Sequence, residues 1–272
     1  MPPEALNSMT AWPTKQRFTA NPQQKSMRHI LRMGGFSLVE LTIVLLVVSL
    51  LAGGMLLSIS GQQERITNNE AKEFLESARE AITGFTLSQG RLPCPGNPTK
   101  NSQVDTDAGK EALICSPGSC TAPDKQCEFE FGVLPWVSLG LKETDPWGNR
   151  ISYFVGKEFA NPLTKNEIDL GVRSRVTLST VGRAKVVDEA GREVGSELPA
   201  VLVSHGANQL GAWRSDGSKI AGASLDEEEN SNATLTFVAH PPSSAPNSFD
   251  DHVVWIVPTI LKSRLVVIGK LP

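Results

Sequence analysis

An uncharged run of 19 residues, LTIVLLVVSLLAGGMLLSI from Leu41 to Ile59, limits what this chain can be more than any other feature. At about 1.5 Å per helical residue it reaches across roughly 30 Å of bilayer hydrocarbon. Lys25, Arg28 and Arg32 precede it, whereas Glu64, Arg65, Glu70 and Lys72 follow without a basic excess. The positive-inside rule then puts the N-terminus in the cytoplasm and the remainder outside. A cleaved secretory signal, cut near Ala52-Gly53-Gly54, is the competing reading. Secretory apolar regions usually run about 7–15 residues. Here the run is longer, a carboxylate (Glu40) stands at its start, and helical periodicity continues past its end.

Beyond the run, Ile66, Phe74, Leu75, Ala78, Ala81, Ile82 and Phe85 recur at helical spacing, with Glu70, Lys72, Glu73, Glu76, Arg79 and Glu80 between them. No proline stands between Phe36 and Gly90. The sequence therefore predicts one long helix, membrane-spanning over 36–60 and amphipathic over 61–89, whose stripe packs on the domain that follows. Gly53-Gly54 is the weak point, since each glycine costs about 1 kcal/mol against alanine in a helix interior. A kink or local melting is expected there.

The residues before the run carry a family resemblance. Met27-Arg-His-Ile-Leu-Arg-Met-Gly-Gly35 followed by Phe36-Ser-Leu-Val-Glu40 resembles the class III prepilin signal of type IV pilins and type II secretion pseudopilins. Basic leader, glycine, phenylalanine, glutamate and apolar helix stand in that order over about the first quarter of the chain. The resemblance implies a cytoplasmic leader, 1–35, removed by a prepilin peptidase between Gly35 and Phe36, and N-methylation of Phe36. Glycine suits the cut because an extended backbone without Cβ enters a tight cleft. Glu40 takes the place of the family's glutamate, which pairs with the free N-terminal amine of a neighbouring subunit. A membrane-embedded acid costs about 2.5–3.5 kcal/mol and is a functional candidate by default, although near the cytoplasmic end Glu40 could simply reach the headgroups. Its presence disfavours the tip pseudopilin, which commonly lacks the acid. Residues 1–26 have scattered prolines and no periodicity, so they read as disordered; Met27 is an equally suitable start and gives a leader more typical of the family.

From Gly90 onward the pattern shortens to period two. Val176–Leu178, Pro199–Val203, Thr234–Val238 and Val253–Val257 read as antiparallel strands between Gly, Asn, Asp and Pro clusters. Ile260–Leu265 reads as a helical turn before a last strand at Val266–Ile268. The fold class expected is α+β, a long N-terminal helix packed on an antiparallel sheet in a β-rich domain over 90–272, as in pilins. With 40% apolar residues such a domain can bury a core. A net charge of −3 gives no clustered base for nucleic acid.

All four cysteines, Cys94, Cys115, Cys120 and Cys127, lie in one Pro-, Gly- and Ser-rich segment, 94–127. Such clustering points to local disulfides in an oxidising compartment, here the periplasm, with three connectivities open. Zinc is the rival, but intervals of twenty, four and six residues lack paired CxxC knuckles.

Several phrases resemble periplasmic domains of pilin-like proteins: Arg91–Pro95, Leu134–Trp136 with Leu139-Gly140, Asp145-Pro-Trp-Gly-Asn149, Ser204-His-Gly-Ala-Asn208, and Phe249–Asp251 with Trp255. Their residue types suit turns: Asp-Pro starts one, Gly148 supplies a positive φ, and Trp147 can fasten the loop to the core. Major pseudopilins carry calcium, and Asp105-Thr-Asp107-Ala-Gly109 is like the start of a calcium loop, but the third oxygen ligand and the glutamate at position twelve are missing. Asp226–Glu229 reads as a solvated acidic face. No metal or cofactor is assigned.

Enzymatic chemistry has little support. GxSxG, HExxH and GxxxxGK[ST] are absent. Ser204 and His205 with Asp250 or Asp251 suggest a triad, yet adjacent residues on a strand point to opposite faces. The favoured function is a structural one, a minor pilin or pseudopilin of a type IV pilus or type II secretion filament. Its expected partners are the prepilin peptidase, other pilin or pseudopilin subunits, an inner-membrane assembly platform and membrane lipid, in the inner membrane and then the filament. The alternatives are a membrane-anchored periplasmic binding module that never polymerises and, further off, a secreted hydrolase using His205 and an acid.

Overall fold

The computed structural model describes residues 37–115, 125–222, 224–244 and 247–271, with the side chains of 54–61 outside the description. The chain divides into two units, Met1–Gly54 and Met55–Pro272. In chain order the elements are α1 (Leu38–Gln89), β1 (Leu113–Cys115), β2 (Lys125–Cys127), β3 (Phe131–Val133), α2 (Trp136–Leu139), β4 (Ser152–Val155), α3 (Lys157–Ala160) and α4 (Lys165–Asp169). They continue with β5 (Ala184–Val187), β6 (Glu193–Leu198), β7 (Ala200–Ser204), α5 (Leu225–Ser231), β8 (Thr236–Val238), β9 (His252–Trp255) and α6 (Pro258–Val267).

In the first unit, Ser37 starts α1. Its carbonyl accepts from the Leu41 N–H at 3.1 Å and its hydroxyl from the Val39 N–H at 3.3 Å, satisfying donors that a helix start leaves free. The large apolar side chains that follow find no cover among the described residues, from 80% exposed at Leu38 to 46% at Val47. No helix among the described residues is long and apolar enough to cross a membrane. The run expected to span, Leu41–Ile59, extends into 54–61, where side chains are not described.

The second unit is α+β. Ala71, Leu75, Ala78 and Ile82 of α1 are fully buried, the stripe that helical periodicity requires. It packs on Tyr153, Val155, Ala200 and Leu202 of an antiparallel sheet ordered β3-β4-β7-β9. Alternate residues of the same strands, Phe154, Val201 and Val203, face a second sheet, ordered β6-β5-β8, through Val186 and Phe237. Burial on both faces explains why Pro199–Val203 reads as a continuous apolar run rather than a clean alternation. His252 Nε2 lies 2.9 Å from Asn68 Oδ1 and joins β9 to α1.

Three expectations are corrected. Val176–Leu178 is not a strand: Ser174 Oγ and the Arg175 N–H both donate to the Gly90 carbonyl, and Val176 is buried without a ladder. Val266–Ile268 is not a strand either, because α6 runs through Val267 and Ile268 caps it. Pairing is not wholly antiparallel, since β5 and β8 run parallel.

Cys94 and Cys127 form a disulfide inside the main core, which removes the zinc alternative. Cys115 is also disulfide-bonded, and Cys120 lies outside the described residues. No described cysteine is free.

Candidate functional site

At one end of the central sheet β4 begins, β7 ends and β9 begins, with Ser152 paired to Val203 and Ser204 to His252. Three loops and α5 converge there. In the Asp145–Asn149 loop, Asp145 Oδ1 accepts the N–H groups of Trp147 and Asn149, each at 3.0 Å. Gly148 sits at φ +86°, as the turn demands. Asp145 Oδ2 accepts the Ser204 hydroxyl at 2.6 Å. Burial holds the Asp145 carboxyl above its usual range, opposed by the Ser204 hydroxyl and the two N–H groups. Trp147 stacks on His252 with centroids 5.8 Å apart, so the tryptophan does fasten its loop. Burial, followed by the Lys72 charge, lowers the pKa of that imidazole.

Ser204 and His205 part company as strand geometry requires. His205 Nε2 lies 2.8 Å from the Ser152 hydroxyl, and Nδ1 is 3.6 Å from Asp251 Oδ1, too long for a hydrogen bond. The resulting chain Ser152–His205–Asp251 has the residue types of a nucleophilic triad, but Ser152 is 1% exposed and His205 0%.

Beside it lies a carboxylate cluster. One oxygen from each of Glu227, Asp250 and Asp251 is within 4.8 Å of the other two. Ser224 caps α5 in a reciprocal box with Glu227, which turns this acid inward. Glu227 Oε1 accepts from Asn208 Nδ2 at 2.6 Å and from the Asp250 N–H at 3.3 Å, and Asp250 Oδ2 accepts the Asn208 N–H at 2.9 Å. Asn230, fully buried, donates to Asp251 Oδ2 at 2.9 Å. Gly206, at φ +58°, permits the tight approach: a Cβ there would stand 2.4 Å from Asp250 Oδ1.

Two buried oxygens, Asp250 Oδ1 and Asp251 Oδ1, have no hydrogen-bond partner among the described residues. No lysine or arginine among them pairs with the cluster, and the imidazoles of His205 and His252 lie beside Asp251. Burial, and then the charges of Glu227 and Asp251, push the Asp250 carboxyl up to about 6 against the Asn208 N–H. Converging carboxylate oxygens with unmet acceptor capacity are the donor set of a hard divalent cation such as calcium. Sequence reading weighed this chemistry only at Asp105–Gly109, set it aside there, and assigned no metal. Asp105 caps a turn through the Asn101 N–H, and Asp107 pairs with Lys100 at 3.2 Å. Glu227, assigned to a solvated run, is fully buried.

The chain is 24% identical to the type II secretion system core protein G of Vibrio cholerae serotype O1 over 144 residues, 53% of this chain and 82% of that protein. It is also 24% identical to the type II secretion system core protein G of Aeromonas hydrophila over 118 residues, 43% of this chain and 70% of that protein. This similarity supports the pilin and pseudopilin resemblance. No family model and no solved structure matches the chain. Of the motif residues, Gly35 and Phe36 lie outside the described residues, while Glu40 is exposed in the first turn of α1.

Proposed function

We propose that this chain is a non-enzymatic structural subunit, a minor pseudopilin or pilin, of a type II secretion or related filament. The observation that carries the reading is the start of α1: after Gly35-Phe36 and Glu40 comes an uncharged, mostly apolar helical surface that no described residue covers. A surface of that kind belongs in a bilayer or against identical helices. Similarity to core protein G, over most of that protein, points the same way. In this reading the leader is cut after Gly35, Phe36 is methylated, and the chain stays in the inner membrane with residues 90–272 in the periplasm. Glu40 then pairs with a neighbour's N-terminal amine as an assembly platform draws the subunit into the filament.

The buried Ser152–His205–Asp251 chain is structural in this reading, because a substrate carbonyl has no route to a hydroxyl inside the fold. The acidic cluster is a cation seat held by Glu227, Asp250 and Asp251. Calcium, which major pseudopilins carry, would offset two of the three carboxylate charges and tie α5 to the turn before β9.

The test is co-expression with a prepilin peptidase and mass spectrometry of the mature chain. A methylated N-terminus at Phe36 is expected. Glu40→Ala should still be cut but should fail to enter filaments. An intact leader, or a cut near Ala52, would sink the reading and favour an anchored or secreted module.

A further inference from the structure

Within the second unit, the two ends of the sheet carry opposite chemistry. One end is marked by Asn68 of α1 and holds α5, next to Ser204 and His252. There Leu225 is 77% exposed beside the exposed Glu228, with Asp226 and Glu229 on the same short helix. The other end is marked by Gly90 and lies roughly 30 Å along α1. A groove of about 580 Å³ runs there between Val172, Arg173 and Leu178 on one side and Gly269 to Leu271 on the other.

The surroundings of that groove are mostly apolar and basic, with Asp169 an exposed acid next to Leu170. Leu170 is 75% exposed, Leu178 57% and Val267 82%. Lys262 Nζ and Lys270 Nζ donate to the carbonyls of Leu178 and Ser88, and neither makes an ion pair among the described residues. Arg173 is exposed and makes no side-chain hydrogen bond or ion pair among the described residues. A mostly apolar groove bordered by Arg173, Lys262 and Lys270 is complementary to one exposed leucine flanked by acids.

We infer that the groove between residues 172–178 and 269–271 of one copy receives Leu225 and the acidic face of α5 from a second copy. The contact joins unlike surfaces at opposite ends of the domain, so it is heterologous and propagates along an axis rather than closing a dimer. It rests on the assembly reading above and gives that assembly a second contact, outside α1. The exposed apolar side chains at both ends fix the fit, and the charges fix the direction.

Oxidative cross-linking of the full chain in membranes tests this. Leu178→Cys and Leu225→Cys chains are produced together and separately, and Ser49→Cys chains report association through α1. A disulfide-linked dimer is expected from the mixed pair and from neither variant alone. Arg173→Glu on the Leu178→Cys chain should abolish it, and Glu228→Arg on the Leu225→Cys chain should restore it. Since all four positions are exposed, unchanged thermal melting of each variant shows that folding is intact. Linking through Ser49→Cys without the mixed dimer would overturn the docking and leave the filament reading standing, whereas loss of both would overturn both. A dimer from one variant alone would mean a symmetric contact and would also overturn the inference.

Discussion

Arg175 grips Glu167 in a fork, Nη1 to Oε1 at 2.8 Å and Nη2 to Oε2 at 2.7 Å, while Nε and Nη2 also reach the carbonyls of Asn161 and Pro162. Glu167 meanwhile closes a capping box with Thr164 at the start of α4. Arg175, with Thr164 adding to it, lowers the glutamate pKa to about 2. A carboxyl depressed by folding adds stability above its unfolded value, near 4.5, and that stability is lost as pH falls through about 2. After allowance for solvent screening the contribution is on the order of 1 kcal/mol. Glu167→Gln should therefore lower the urea midpoint at pH 7, with the gap narrowing as pH falls from 4.5 towards 2; a gap independent of pH would refute the assignment. Single residues of this kind were only partly legible. Glu40 stands out because its neighbours in sequence supply its context. The Glu227–Asp250–Asp251 cluster does not, because its acids come from segments 23 residues apart and meet only through the cap on α5. The phrases Ser204–Asn208 and Phe249–Asp251 were visible as turn chemistry, but nothing local says that they face each other.

At the scale of elements, α1 was legible because its periodicity needs no partner to be read. The stripe observed, Ala71, Leu75, Ala78 and Ile82, overlaps the one expected, while Ile66 remains 50% exposed. Ile82→Ala should cost about 2–5 kcal/mol by denaturant unfolding, the range for emptying a packed core site. Ile66→Ala should stay within about 0.5 kcal/mol. Equal costs at the two positions would mean that the sheet does not cover the stripe as described. The strands misread were those whose fate depends on neighbours. Val176 has the residue type and alternation of a strand, but its segment is drawn by hydrogen bonds to the end of α1 instead of to another strand. Val266 and Val267 favour β structure locally, yet α6 starts well with Pro258 at its first turn and buries Leu261 and Leu265, four residues apart. Packing of that helical pair outweighs a propensity worth only tenths of a kcal/mol per residue.

At the scale of the whole molecule, disulfides and a cluster of side chains hold together loops that secondary structure does not. The Cys94–Cys127 disulfide anchors the irregular segment after α1, and its clustering made it readable in advance except for the pairing. The acidic cluster is a second device: three carboxylates converge, and two of their buried oxygens find no hydrogen-bond partner among the described residues, which leaves room for a cation to stabilise them. A ligand that binds only the folded state stabilises it by about 2.7 kcal/mol at a hundredfold excess over Kd. Calcium should therefore raise the melting temperature of the full chain, and EDTA should reverse the rise. Asp251→Asn separates this from a general salt effect, because removing one of three repelling charges should leave the EDTA melting temperature unchanged or higher while erasing the response to calcium. If the variant still responds, calcium binds elsewhere; if the unaltered chain does not respond, the cluster is an internal hydrogen-bonding hub whose strain is relieved by protonation of Asp250.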